Sequence, residues 1–277
     1  MADLAPLSLN DGKTIPRLGL GVWQVPEESV ADVVSTAIGI GYRLIDGARI
    51  YGNEAGMGEG IRASGVARDE LFVTSKVWNE DQGYDATRRA VEGSLKRIGV
   101  EYLDLCLIHW PCPAQDKYVE TYRALMDARA DGQIRSAGVS NFQDAHLDRV
   151  IKELGEAPAL NQIELHPAFQ QAQMRAADEE RGVLTQSWSP LGRMTMFEAP
   201  EIKAIAERIG CTPAQVILRW HLQLGVSVIP RSTNAGRLKE NFDTLDITLT
   251  EADMAAIAGL DQEDGRIGPN PDEFEGN

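Results

Sequence analysis

Short β-rich runs alternate along this chain with longer segments of helical period. The runs fall at residues 18–21, 42–46, 71–76, 103–109, 136–140, 160–164, 183–187 and 226–230. Between them, apolar residues recur three or four apart: in 85–98, Ala90, Val91, Ser94, Leu95 and Ile98 share one helical face. Thr212-Pro213 reads as a helix start, an N-cap hydroxyl followed by proline at the first helical position. The run Leu103-Asp-Leu-Cys-Leu-Ile108 is almost continuously apolar, which suits a parallel strand covered on both faces. Alternating βα units imply a parallel sheet. Eight of them predict a closed (β/α)8 TIM barrel, with an open doubly wound sheet as the alternative. No Gly-x-Gly-x-x-Gly fingerprint follows the first strand, and the polar residues of interest end several different strands; both features favour the barrel.

Before the first run, Pro6-Leu-Ser-Leu-Asn-Asp-Gly-Lys-Thr-Ile-Pro16 predicts a β-hairpin, turning at Asp11-Gly12 and closing the N-terminal end of the barrel. After the last run come helices around 237–245 and 251–260, then a tail rich in Gly, Pro and acidic residues. No internal repeat or linker interrupts the pattern, so residues 1–277 are expected to form a single domain.

Composition narrows the partners. Hydrophobic residues make up 43% and charged residues 25% of the chain, an ordinary globular balance. The net charge of −15 argues against nucleic acid or an anionic membrane surface as partner. With no apolar span and no basic, apolar start, a cytoplasmic protein is expected, and a monomer. Cys106, Cys112 and Cys211 make no disulfide framework. Cys112, in His109-Trp-Pro-Cys-Pro113, reads as a loop residue rather than a reactive thiol. His146, His166 and His221 read as structural, and no ligand spacing suggests a metal.

Four polar residues stand at or just beyond predicted strand ends: Asp46, Tyr51, Lys76 and His109. A barrel brings such ends together at its mouth. A phenol is a poor acid at neutral pH, but an adjacent ammonium favours its phenolate, and a carboxylate keeps that ammonium charged. Asp46, Lys76 and Tyr51 supply this chain in order, and His109 is placed to orient a substrate oxygen. Tyr51 is therefore the candidate general acid. Each residue alone also has a plain structural reading: a packed loop tyrosine, a capping Asp, a solvated Lys, a core His.

These residues carry a resemblance. Gly41-Tyr-Arg-Leu-Ile-Asp46, Tyr51-Gly-Asn-Glu54, Ser75-Lys-Val-Trp78, Leu107-Ile-His-Trp-Pro111, Gly138-Val-Ser-Asn-Phe142, Asn161-Gln-Ile-Glu-Leu-His-Pro167, Ser187-Trp-Ser-Pro-Leu-Gly192 and Val228-Ile-Pro-Arg-Ser232 follow one another in the chain. In these motifs the chain resembles the aldo-keto reductases along nearly its whole length, closest to short bacterial members of the 2,5-diketo-D-gluconate reductase type. The resemblance implies NADPH-dependent reduction of aldehydes or ketones. It also implies that Ser140, Asn141 and Gln162 hold the nicotinamide carboxamide and that Trp188 stacks on the ring. Ser189, Leu191 and Gly192 would follow the pyrophosphate, Arg231, Ser232 and Arg237 the 2′-phosphate, and Glu240 with Asn241 the adenine. Two guanidiniums and a hydroxyl also suit a phosphate on physical grounds. Gly47 replaces a common Thr, which predicts looser packing behind the catalytic Asp, and Arg231 replaces a common Lys.

The expected partner is a small carbonyl compound in a pocket lined by Trp23, Trp78 and Trp110, with Arg266 as a candidate carboxylate anchor. The tail is expected to cover only part of that pocket. A cofactor-binding regulatory barrel is the rival reading; a cofactor-free hydrolase or isomerase lacks the carboxylate or metal pair it would need.

Overall fold

The computed structural model describes residues 5–275. Its first element is the expected hairpin, β1 (Leu7–Ser8) and β2 (Thr14–Ile15), antiparallel in the register Leu7↔Ile15. Its turn contains Gly12 at φ 82°, a left-handed conformation that glycine adopts without strain.

Eight parallel strands follow: β3 (Leu20–Gly21), β4 (Leu44–Asp46), β5 (Phe72–Val77), β6 (Leu103–Ile108), β7 (Ile134–Ser140), β8 (Leu160–Glu164), β9 (Leu184–Trp188) and β10 (Ser227–Val228). Each pairs with its sequence neighbour. The sheet closes on itself through a parallel bridge between Leu18 and Val228, with the Gly19 and Gly21 amides donating to Val228 O at 2.9 Å and Pro230 O at 3.1 Å. Every predicted strand is present, but the first and last are only two residues long. At that seam the chain crosses close to its neighbours: a Cβ on Gly19 would lie 2.4 Å from Leu44 Cγ.

The connections are helical, α1 (Glu27–Ile40), α2 (Glu54–Ala63), α3 (Tyr84–Ile98), α4 (Tyr118–Ala130), α5 (Asp144–Leu154) and α6 (Ala172–Glu180). After β9 come α7 (Pro200–Ile209) and α8 (Pro213–Gln223), and after β10 come α9 (Ala235–Phe242) and α10 (Glu251–Ala258). Thr212 caps α8 as predicted, accepting from the Gln215 amide in a reciprocal capping box. α3 buries Thr87, Ala90, Val91, Ser94 and Ile98, the predicted face, with Leu95 half-buried beside it. α2 packs close to α1 and α3 because its buried face is glycine: a Cβ on Gly58 would fall 1.8 Å from Ile98 O.

Strand alternation sends one row of side chains from each strand into the bore. The rows are apolar at the N-terminal end, where Leu44, Phe72, Leu105, Leu107, Leu160 and Ile229 cluster with Leu9 and Ile15 of the hairpin. The hairpin is fastened there by Asn10 Nδ2 to Pro158 O (2.9 Å) and by Ser136 Oγ to Asp11 Oδ2 (2.6 Å). Two or four residues further along, the same rows become polar: Asp46, Lys76, Gln162 and Gln186. The polar end is the mouth.

The tail returns to that mouth and crosses more of it than its length suggested. Gln262 N–H donates to Ala168 O (3.1 Å), and the Ile267 and Gly268 amides donate to the two oxygens of Glu164 at 2.6 and 2.8 Å. Asp272 Oδ1 comes within 3.6 Å of His146 Nε2, and Phe274 packs on Trp110 with ring centroids 4.5 Å apart. The strap thus runs from the end of β8 to the end of β6. Among the described residues, no helix is long and apolar enough to cross a membrane, and no cluster of His, Cys, Asp or Glu could hold a metal ion.

Candidate active site

The four strand-end residues meet. Lys76 is fully buried, its Nζ 2.6 Å from Asp46 Oδ2 and 2.9 Å from the Gly47 carbonyl. The same ammonium lies 5.3 Å from the centroid of the Tyr51 ring. Tyr51 sits edge-on to His109 at 5.7 Å between centroids, and Trp78 meets the other side of that imidazole at 5.0 Å. Neither His109 ring nitrogen bonds any described residue, and Nδ1 is buried without a partner among them.

Burial and charge pull these groups in different directions. Lys76 keeps its proton more tightly than an ordinary lysine: burial opposes the charge, but Asp46 and then Tyr51 outweigh it. Tyr51 does not become the acidified phenol that its neighbours suggest. Burial pushes it above 10, and the pull of Lys76 only partly offsets this. The phenolate loses more solvation than one ammonium returns, particularly with Asp46 nearby. His109 is held well below 6.5, first by burial and then by the Lys76 charge, so its ring is neutral. The resting site is therefore an ion pair beneath a neutral phenol and a neutral imidazole.

Local structure explains these positions. Gly52, left-handed at φ 69°, turns the chain after Tyr51. Asn53 then donates to Val22 O (2.8 Å) and Val25 O (2.9 Å), tying the Tyr51 loop to the loop that carries Trp23. Glu54 is buried and accepts from Ser75 Oγ and Arg97 Nε, both at 2.6 Å, fixing the start of α2 against β5. The structure corrects the expectation for Gly47. Met57 Sδ stands 2.8 Å from where a Cβ would be, so the space is filled rather than loose.

The residues that the resemblance assigns to a dinucleotide fall in two groups. Near the tetrad, Ser140 Oγ donates to Gln162 O (2.8 Å), and Asn141 bonds His109 O (3.0 Å) and receives Trp188 Nε1 (2.8 Å). Gln162 Nε2 donates to Asp46 Oδ1 at 2.8 Å. Ser189 and Gly192 both take left-handed backbone, at φ 49° and 52°, and with Leu191 form the turn after β9. The second group lies at the N-terminus of α9. Arg231 and Arg237 are exposed and Ser232 is buried, its Oγ accepting from Asn234 N at 3.2 Å. Glu240 is turned towards Thr212 Oγ1 (2.8 Å), and Asn241 is buried in α9. An unbonded imidazole and two exposed guanidiniums at a helix start fit an extended anionic nucleotide.

The remaining candidates scatter. Trp23 is exposed, Trp78 half-buried, and Trp110 buried under Phe274. Arg266 lies over the Phe169 ring at 4.6 Å. Cys112 is buried and burial pushes its thiol up to about 12, which removes it as a nucleophile. His221 stands between the Ile217 and Leu165 carbonyls, at 2.8 Å from Nδ1 and 3.0 Å from Nε2, and His166 Nε2 pairs with Glu164 at 3.0 Å. Sequence reading missed Asn53, Glu54, Glu164 and Gln186. For Gln186 a signal existed, since it alternates with Leu184 and Trp188 on the side of the strand that faces the bore. For Phe274 there was none.

Comparison with known proteins agrees with this geometry. The aldo/keto reductase family model matches residues 17–262. An aldo-keto reductase of Mycolicibacterium smegmatis is 49% identical over 268 residues, 97% of each chain. The methylglyoxal reductase DkgA of Escherichia coli is 45% identical over 278 residues, covering all of both chains. Among solved structures, a mutant of Gox0644 in complex with NADPH superposes with a TM-score of 0.94 at 46% identity, over 98% of each chain. The chain belongs to the aldo/keto reductase family.

Proposed function

We propose that this protein is an NADPH-dependent reductase of small aldehydes and ketones, with Tyr51 as the proton donor. The observation that carries the reading is the buried Lys76, ion-paired with Asp46 and 5.3 Å from the Tyr51 ring centroid, beside an imidazole whose nitrogens bond no described residue. The dinucleotide, when bound, supplies the hydride. His109, neutral, can donate a hydrogen bond to a carbonyl oxygen and hold it against Tyr51 Oη. As negative charge grows on that oxygen, the phenol gives up its proton to it. A phenol well above neutrality suffices, because an alkoxide is a stronger base than a phenolate. Lys76, kept charged by Asp46, stabilises the phenolate as it forms, and burial makes that stabilisation larger than it would be in water.

Ser140, Asn141, Gln162 and Trp188 would hold the nicotinamide; Ser189, Leu191 and Gly192 the pyrophosphate; Arg231, Ser232 and Arg237 the 2′-phosphate; and Glu240 and Asn241 the adenine. Trp23, Trp78 and Trp110 would wall a compact substrate, and kinship with methylglyoxal reductases favours small dicarbonyls and keto sugars. On this reading the chain works as one barrel domain and as a monomer. NADPH oxidation against a panel containing methylglyoxal, keto acids and keto sugars tests it. Turnover of at least one carbonyl, lowered by ~10²–10⁴ in Tyr51→Phe, is expected; no oxidation with any of them would overturn the assignment.

A further inference from the structure

Four side chains on consecutive strands stand at one level of the bore: Ser140, Gln162, Gln186 and Ser227. They are register partners (Ser140↔Gln162, Gln162↔Gln186, Ser227↔Gln186), and all are buried. The direction of their bonds can be read from the charged end. Asp46, ion-paired with Lys76, only accepts, so Gln162 must turn Nε2 towards it (2.8 Å). The same nitrogen lies 2.7 Å from Gln186 Oε1 and spends its second proton there. Gln186 then offers Nε2 to Ser227 Oγ (3.0 Å), and Ser227 passes its own proton to the Pro16 carbonyl (3.0 Å). Both ends of the chain accept and each donor atom between them has an acceptor, so only one orientation of each amide fits. Gln162 Oε1 is left accepting no bond among the described residues.

We propose that Gln186 is a positioning residue of the active site. By taking the second proton of Gln162, it leaves that side chain only a carbonyl oxygen to present at the mouth, and it braces the Gln162 nitrogen against Asp46. Gln162 would then select a cofactor that donates, the carboxamide NH₂ of NADPH. This selectivity rests on the proposed reading of Gln162 as a cofactor contact.

The probe is the 3-acetylpyridine analogue of NADPH, which has a methyl ketone in place of the amide and no N–H to offer. The unaltered protein is expected to bind NADPH about ten-fold more tightly than the analogue, measured by quenching of tryptophan fluorescence. Gln186→Met keeps the side chain's length but frees the Gln162 proton; the preference should shrink about three- to ten-fold, and kcat should fall as Asp46 loses its brace. Gln186→Glu keeps the acceptor and, while protonated, the donor to Ser227. The carboxyl accepts the Gln162 proton in either protonation state, so this variant should restore the preference at every pH at which it stays folded. A folded Gln186→Met with unchanged preference and kcat would overturn the proposal. If that variant does not fold, a folded Gln186→Glu that has lost the preference does so. Equal binding of both nucleotides by the unaltered protein would instead remove the cofactor role of Gln162, and the proposal with it.

Discussion

At the scale of the residue, the proposed chemistry depends on a phenol that is neutral at rest and a lysine that is not. Tyr51→Phe deletes only the transferable proton and is expected to lower reductive turnover by ~10²–10⁴, with nucleotide affinity kept. Steady-state rates beside fluorescence titration check this; a variant within a few-fold of the parent rate would exclude Tyr51 as donor. Because burial raises Tyr51, the reductive rate should stay level through neutrality and decline only in strongly alkaline solution, where the phenol loses its proton. Because His109 stays neutral far below 6.5, no acidic limb should appear near that value. A limb there would show a protonating imidazole and contradict the burial argument. The tetrad itself is legible in the amino-acid sequence, since strand ends and a barrel suffice to bring Asp46, Lys76 and His109 together. The direction of the Tyr51 shift is not, because desolvation depends on how deeply the loop is covered.

At the scale of the element, α6 carries a buried carboxyl with a pH consequence. Asp178 accepts from Asn161 Nδ2 (3.0 Å) and Thr185 Oγ1 (2.8 Å), and burial pushes it up to about 7. The folded chain therefore binds this proton where the unfolded chain, near 3.8, has released it. The contribution to stability is complete below the unfolded value and is lost as pH rises through about 7. Thermal melts from pH 5 to 8 should show this loss, and Asp178→Asn should flatten it; an unchanged slope in the variant would rule Asp178 out. Helix packing offers a second test. Gly58→Ala drives a methyl into the Ile98 carbonyl and should destabilise the protein by ~1–3 kcal/mol in denaturant unfolding. An unaltered midpoint would mean that α2 shifts freely. Periodicity finds α3 and its buried face, because an amphipathic stripe is local. It cannot show that α2 needs glycine, since that need comes from an unrelated segment crossing it.

At the scale of the whole molecule, a chain of net charge −15 keeps two exposed guanidinium side chains, Arg231 and Arg237, beside the start of α9. Arg231 leans on the Gln24 carbonyl at 3.2 Å, a neutral partner that leaves its charge uncompensated. Arg237→Ala is expected to weaken NADPH by about ten-fold or more while leaving NADH nearly unchanged. Equal losses would move the 2′-phosphate elsewhere. The barrel, its hairpin stopper and its mouth are all readable from the alternation of runs. The course of the tail is not, because residues 262–275 have no periodicity and are placed by what they cross.

That course has an evolutionary consequence. Glu164 grips the strap through the peptide amides of Ile267 and Gly268, groups that nearly every amino acid supplies. Side chains along the strap can therefore mutate without releasing it, Gly265 and Gly268 excepted, where a methyl would strike the Ala168 carbonyl oxygen at 1.8 Å and the Trp188 indole at 2.7 Å. On the proposed reading, which puts the substrate at this mouth, new preferences can thus be sampled by rewriting a few codons of the strap, while the scaffold and its reacting groups are inherited unaltered.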